Sequence, residues 1–470
     1  MIDVDAFGLA RDGRTDDSAR FQAAIDAAMA RTGRLYIGAG GPILLTDAFS
    51  ASLHDVAIAG DGVRDIGESG VYGHAGSQIW ITGRRRSPFL LGGAVSFEGV
   101  NFFWPGQTEA ACAGNGGEPI AYPPLFGQQD PPAQVNRFDF VNCQVTNCYD
   151  FLVDTGNSGG AVLGAVNLER CHIYAVRNCL TLQLVPEVVL ISDTLFSWGA
   201  YQNEVNPGAT HHLRDFSNAR GCWLKVVGDG TGARFPSTQV QGIKATNCYV
   251  YGPAKGIWCA GGCLGLSTLI GVGFDAVPTV LQVDPGGSLV DFRFLGGKWY
   301  PLRIASASGA DTTAIVIRDP APGYPLQLSC SGLEIPFIDG SLAAISGDAV
   351  GLVSFSDLRC GAIGHTGGGR GPYDGLAIDA RNAELRVALS DFAPQNPATA
   401  GTALRIGAAA LVSIVNNVFR DFTVAVDIGA GVGTVTLDGN TSLRTRGKTS
   451  VTGAGAGRAS GRSNNWDRPG

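Results

Sequence analysis

The chain has 470 residues, 45% of them hydrophobic and 16% charged, with 68 glycines, 2 methionines and a formal net charge of −7. The negative balance, with no basic block before the C-terminal segment, argues against nucleic acid as a partner, since such binding needs concentrated Lys and Arg to displace counterions. No apolar run approaches the ~18 residues of a membrane span, and Met1-Ile-Asp-Val-Asp-Ala-Phe7 lacks the basic start and apolar core of a signal peptide. In chain order, the first element is a helix over residues 17–31. Asp16 or Asp17 is placed to cap it; Phe21, Ile25 and Ala28 fall at i, i+4 and i+7; Gly33 stops it. A short helix with one apolar stripe must cover something. It either opens an ordinary α/β domain or closes the exposed end of a β-solenoid.

The residues around that helix favour the second choice. Phe7-Gly8, Asp12-Gly13, Thr15-Asp16-Asp17, Phe21-Gln22 and Ala24-Ile25 stand in register, without a gap, with D-F-G-A-x-G-D-G-x-T-D-D-T-x-A-F-Q-x-A-I-D-A-A. This opening resembles that of the pectate-lyase-like superfamily of right-handed parallel β-helices. Leu35-Tyr36-Ile37, Ile43-Leu44-Leu45 and Val56-Ala57-Ile58-Ala59-Gly60-Asp61-Gly62 continue the resemblance, which covers residues 1–62 as cap and first coils. It implies an all-β, single-stranded right-handed parallel β-helix with an N-terminal capping α-helix.

From about residue 136 the sequence repeats one grammar: a short apolar strand, a turn marked by Asn, Asp or Gly, and a second strand. The shorter coils run roughly 22–28 residues, a solenoid period. A barrel or sandwich also fits short strands with turns, but tight hairpin dipeptides are missing. A helix over 63–440 would grow by adding coils rather than by thickening one core. The eleven cysteines recur in similar strings, Asn-Cys143, Arg-Cys171 and Asn-Cys248, with Cys148 and Cys179 also following Asn. An odd count without paired CxxC spacing fits no disulfide framework or zinc site. The cysteines read as a reduced inward ladder of small apolar residues.

Two interruptions break the coils. Residues 101–135 carry Phe-Trp104-Pro-Gly-Gln107 and Pro-Ile-Ala-Tyr122-Pro-Pro124, strings resembling a segment of phage and prophage tail proteins of the same superfamily. Residues 196–237 carry Trp198, Tyr201, Glu204, His211, His212, Asp215, Trp223 and Asp229. Loops of such length in a compact protein tend to be functional, and their aromatic content argues against disorder. Residues 441–470, rich in Gly, Ser and Arg, read as a tail.

The resemblance implies action on polysaccharides, as hydrolase, lyase or epimerase, with the substrate lying along one side of the solenoid. The motifs of the polygalacturonase branch and an aspartate cluster for calcium are both missing, so the fold carries over and the known active sites do not. Glu204 and Asp215 are the expected acid and base of hydrolysis, with Asp150 and Asp154 as a reserve pair of shared strand parity. Trp198, Tyr201, Trp223, Trp104, Tyr122 and His211 are the expected sugar-binding groups. Glu169, Glu187 and Asp193 read as turn or strand-edge carboxylates. No cofactor or metal is expected. The expected setting is a homotrimeric tailspike-like protein of a virion tail, or an extracellular one, that degrades bacterial surface polysaccharide. A bacterial exopolysaccharide-modifying enzyme and a non-catalytic adhesin are the alternatives.

Overall fold

Residues Ser18–Arg31 form the first helix, α1. Asp16 fastens its first turn, with Oδ1 accepting the Ser18 N–H at 3.0 Å and Oδ2 the Thr46 hydroxyl at 2.9 Å. Asp17 is fully buried and holds the preceding loop, accepting the N–H groups of Ala10 and Arg11 at 2.7 and 3.1 Å. Asp12 ties a turn of its own, accepting from the N–H groups of Arg14 and Thr15 at 2.8 and 2.7 Å. The acidic motif is thus a set of pinned turns that deliver α1 to its place. Phe21, Ala24, Ile25 and Ala28 are wholly buried, and the Phe21 ring lies 5.6 Å from Phe49. Gly33, at φ +64°, ends the helix by returning its N–H to the Ala28 carbonyl at 2.7 Å.

The computed structural model describes the chain except residues 63–75, 131–132, 156–161, 198–210, 229–238, 304–311, 322–323, 365–372, 396–399, 445–450 and 467–470. The chain forms two compact units. Unit 1 comprises residues 1–225 and 245–253, and unit 2 residues 226–244 and 254–470. In unit 1, Arg34–Ile37 pairs in parallel with Ala51–Gly60, which pairs with Phe89–Glu98. Val135–Val141, Leu163–Glu169 and Val188–Ser192 continue that stacking, and Gln144–Asp154 lies on His172–Leu182. In unit 2, Ser341–Ser356, Leu376–Ala388, Thr402–Val415 and Val424–Asp438 stack strand on strand, again in parallel. Successive parallel strands joined by crossovers in one sense make a right-handed parallel β-helix.

One turn of each coil explains the repeated Asn-Cys strings. Asn142, Arg170, Asp193 and Asn247 take left-handed backbone, with φ between 48° and 52°. The N–H of Asn142 donates to the Glu169 carbonyl at 2.8 Å, that of Arg170 to Ser192 and that of Asp193 to Thr246. Asn and Asp tolerate that conformation best after Gly. The residues that follow, Cys143, Cys171, Thr194 and Cys248, turn inward and are buried. All eleven cysteines are buried thiols outside any disulfide. Burial pushes the thiols of Cys112 and Cys171 up to about 12.

Unit 1 is filled by phenylalanines. Phe126 lies 4.8 Å from Phe138, and Phe140 lies 5.0 Å from Phe151, all wholly buried. Such ring pairs add about 0.5–1.5 kcal/mol each beyond area burial. The last described residues depart from the expectation of a tail. Thr441–Leu443 pairs with Val418–Arg420, and Val451–Thr452 and Ala459–Ser460 pair with Val424–Asp438. Asn440 and Asn464 continue an inward amide ladder, the Asn440 N–H donating to Asn464 Oδ1 at 3.0 Å. Small polar residues at a buried turn carry the coil on where composition alone reads as linker.

Candidate functional site

The two interruptions meet in unit 1. The first carries α2, Glu109–Gly114, and the unit 1 part of the second carries α3, His212–Arg220. Glu109 accepts the N–H groups of His212 and Leu213 at 2.6 and 3.2 Å, so a carboxylate from one insertion caps the helix of the other. Glu118 pairs with Arg220 at 3.0 Å. Cys112, Leu213 and Phe216 pack on Val176, with Tyr149 at the edge.

Several expected site residues turn out to be the anchors of these insertions. Trp104 and Trp223 are wholly buried and Tyr122 is 2% exposed. Trp223 packs 5.2 Å from Phe196, and the Arg84 guanidinium lies over the Tyr122 ring. These three rings offer no face to a sugar; their apolar area holds the loops to the solenoid instead. The reserve pair is also interior. Asp150 is 1% and Asp154 3% exposed. Asp150 accepts from Arg177 Nε at 2.9 Å and from Arg177 Nη2, and from the N–H and side-chain amide of Asn178 at 3.1 and 3.0 Å. Asp154 accepts from the Gln128 amide. Register shifts on either side of Cys148 break simple alternation along this strand. Asp150 therefore positions Arg177, whose side chain is 43% exposed and stacks 4.5 Å from the Tyr149 ring centroid. Asp215 lies in the first turn of α3, about 30% exposed and paired with Arg214 at 3.0 Å. His211 is buried before α3, its Nδ1 without a hydrogen-bond partner among the described residues. Glu204, Trp198 and Tyr201 lie outside the described residues, as does Asp229.

Unit 2 carries an arrangement that sequence reasoning missed. One outward column runs in unbroken register through Trp258, Gln282, Val316, Ala344, Ala377, Arg405, Asp427 and Thr452. Every member is half-buried or exposed. At one end Trp258 Nε1 and Gln282 Nε2 both donate at 2.6 Å to Asp284, and Lys255 Nζ lies 3.9 Å from the Trp258 ring centroid. Small side chains form the middle. At the other end Arg405 reaches Asp374 at 3.3 Å, beside Asp427 in the next coil, whose Oδ1 accepts from the Thr452 hydroxyl at 3.0 Å. Asp374 is 13% exposed and also accepts the Thr402 N–H at 2.9 Å. Burial pushes its carboxyl above the usual carboxylate range, against the pull of the Thr402 N–H and Arg405, and the nearby Asp427 charge adds to the rise. The column's members are 22 (405 to 427) to 34 (282 to 316) residues apart, so only the register brings them together.

Among the described residues, no three His, Cys, Asp or Glu side chains assemble as a metal-ion donor set, and no helix is long and apolar enough to cross a membrane. No protein-family model matches the chain, and no curated protein matches it. Solved structures do. The N-terminal fragment of gene product 12 of bacteriophage phi29 is 11% identical, over 96% of this chain and 70% of that one, with a TM-score of 0.50. A tailspike protein variant of E. coli bacteriophage HK620 is 11% identical, over 92% and 75%, with a TM-score of 0.49. The A-module of an Azotobacter vinelandii mannuronan C-5 epimerase is 11% identical over the whole of both chains, with a TM-score of 0.40. At such identities the likeness is one of architecture, and with the strand register it establishes that the chain has the right-handed parallel β-helix fold.

Proposed function

We propose that this chain binds a bacterial surface polysaccharide along the outward column of unit 2 and hydrolyses it, as a depolymerase of phage tailspike type. The observation that carries this reading is the Asp374, Arg405 and Asp427 arrangement. Asp374 belongs to the coil of strand Leu376–Ala388, and Asp427 lies on Val424–Asp438, two strands further on. Coils rise by ~4.8 Å, so the carboxylates stand two rungs apart, near the ~6.5–9.5 Å of inverting glycosidases rather than the ~5 Å of retaining ones. Burial raises the Asp374 carboxyl above the usual carboxylate range, and Asp374 is the general acid, protonating the leaving glycosidic oxygen. Asp427 is the base, taking a proton from the water that attacks the anomeric carbon. The bond between that carbon and the leaving oxygen breaks as the new C–O bond forms. Arg405, 49% exposed, hydrogen-bonds sugar hydroxyls or a uronate, and Trp258 lies along the same track. The virion setting and a homotrimer belong to the same proposal; their support is the Trp104–Pro124 resemblance, and light scattering tests the trimer.

A second reading keeps the chemistry on the insertions of unit 1, with Glu204 and Asp215 as acid and base. Its support is the convergence of both insertions on one surface, where Asp215 and Arg177 are partly exposed. A reducing-end assay on host capsular and exopolysaccharides separates the two. Asp374→Asn and Asp427→Asn should each lower turnover by ~10²–10⁴-fold while polysaccharide binding is kept. Full activity in both, with loss in Glu204→Gln and Asp215→Asn, would move the site to unit 1. Release of unsaturated uronate would replace hydrolysis with elimination, and binding without cleavage by the parent protein would leave an adhesin.

A further inference from the structure

Unit 2 has another outer surface, away from the outward column and sharing with it only strand Ser341–Ser356, whose first half carries Ala344 of the column. Cys263–Ile270, Ser288–Leu295 and Leu326–Ser331 stack in parallel, and residues 351–356 of the next strand lie on the last of them. Their outer face holds a groove of about 510 Å³. That volume lies within the ~300–1,000 Å³ of small-ligand sites. Leu266 and Asp291, neighbours across two coils, both take left-handed conformations, at φ 37° and 55°. A leucine pays for that conformation without the local hydrogen bonding open to Asn or Asp. Leu266 is 54% exposed and lines the groove beside Asp291. Strain of this kind gathers at ligand sites.

The lining has two parts. Leu266 and Leu352 offer apolar surface. Asp291, Arg293, Gln327 and Ser329 offer donors and acceptors. Arg293 Nε and Nη2 donate to the two Asp291 oxygens at 2.7 and 3.0 Å, so both groups are held in place before any ligand arrives. Their charges cancel, which removes the advantage of an ionic ligand. A fixed carboxylate–guanidinium pair presents an acceptor and donors side by side, which suits vicinal hydroxyls. The leucines suit the C–H faces of a ring. We propose that this groove is a binding subsite for a neutral saccharide segment of one or two rings, separate from the bond-cleaving groups and serving to hold the chain.

The test is calorimetric titration of the full chain with maltotriose, cellotriose, chitotriose and, as an anionic comparison, a hyaluronan tetrasaccharide. At least one neutral probe should bind, and Arg293→Ala should weaken it at least tenfold. Gln327→Ala, at an exposed position that leaves the ion pair intact, should weaken the same probe and so covers any misfolding of the first variant. Asp374→Asn should leave binding of that probe unchanged, so failure of the catalytic reading and failure of this one are distinguishable. Absence of neutral binding, preference for the anionic probe, or unaltered affinity in both groove variants would overturn the proposal.

Discussion

Glu109 Oε2 accepts the backbone N–H of His212 at 2.6 Å, joining residues 103 positions apart in two separate insertions. A carboxylate at a helix N-terminus satisfies orphan donors and meets the positive end of the dipole, an effect worth about 0.5–2 kcal/mol. Glu109→Ala should therefore loosen α3 without disturbing the coils. The measurement is amide hydrogen exchange, with faster exchange expected at His212 and Leu213 and unchanged protection in Gln144–Asp154. Unaltered exchange at those two amides would remove the cap from the account of how the insertions are held.

The cysteines give a chemical check on the interior. All eleven are buried, and desolvation raises the Cys143, Cys148 and Cys171 thiols, keeping them as poorly nucleophilic thiols at neutral pH. Native protein should consume almost no thiol reagent over minutes, whereas protein in guanidinium should consume all eleven equivalents. Several fast equivalents in the native state would contradict the packing of the coils.

The buried amide ladder of unit 2 is a stability element. Asn417 and Asn440 are wholly buried, and the Asn417 N–H and side-chain amide both donate to Asn440 Oδ1 at 3.0 Å. Asn440 Nδ2 in turn donates to the Ile414 carbonyl at 2.7 Å. Asn440→Leu would strand several buried partners at about 1–3 kcal/mol each. We expect loss of soluble protein or a clearly lower melting temperature, with Asn440→Ser intermediate. A wild-type melting profile for the leucine variant would show that the ladder contributes little.

The legible parts of this chain were those whose cause is local. Phe21, Ile25 and Gly33 sit on one helix, so spacing alone reveals the cap. Asn142, Arg170 and Asn247 precede cysteines in similar strings, so the coil turn could be seen as a repeat before its left-handed backbone was known. Trp104 and Trp223 show the opposite case. Their aromatic character is readable, but whether a ring faces a sugar or the interior depends on tertiary packing. Arg405 and Asp427 meet through strand register, and Asp374 reaches them from just before strand Leu376–Ala388; no local pattern marks any of the three. The same is true of Glu109 and His212. Register and long-range capping are properties of the assembled solenoid, and one sequence does not display them.

Asp374 should make both stability and activity depend on pH. Burial raises its carboxyl in the folded chain above the usual 3.8, and the Asp427 charge adds to the rise. Below that usual value the group is protonated in both folded and unfolded chains and contributes no pH dependence. As pH rises past it, the unfolded chain ionises first while the folded chain keeps its proton. The folded state then binds more protons, so stability falls with rising pH until the folded carboxyl has also ionised, and is level beyond. An asparagine in place of this acid copies the neutral form and can still accept the Thr402 N–H. The melting temperature of Asp374→Asn relative to the parent should therefore climb as pH rises above the usual carboxylate value of 3.8 and level off once the folded carboxyl has ionised. Over the same range the parent's hydrolysis rate should fall on the alkaline side as the acid loses its proton. A melting difference independent of pH would show that Asp374 is not held protonated, and the assignment of general acid would fall with it.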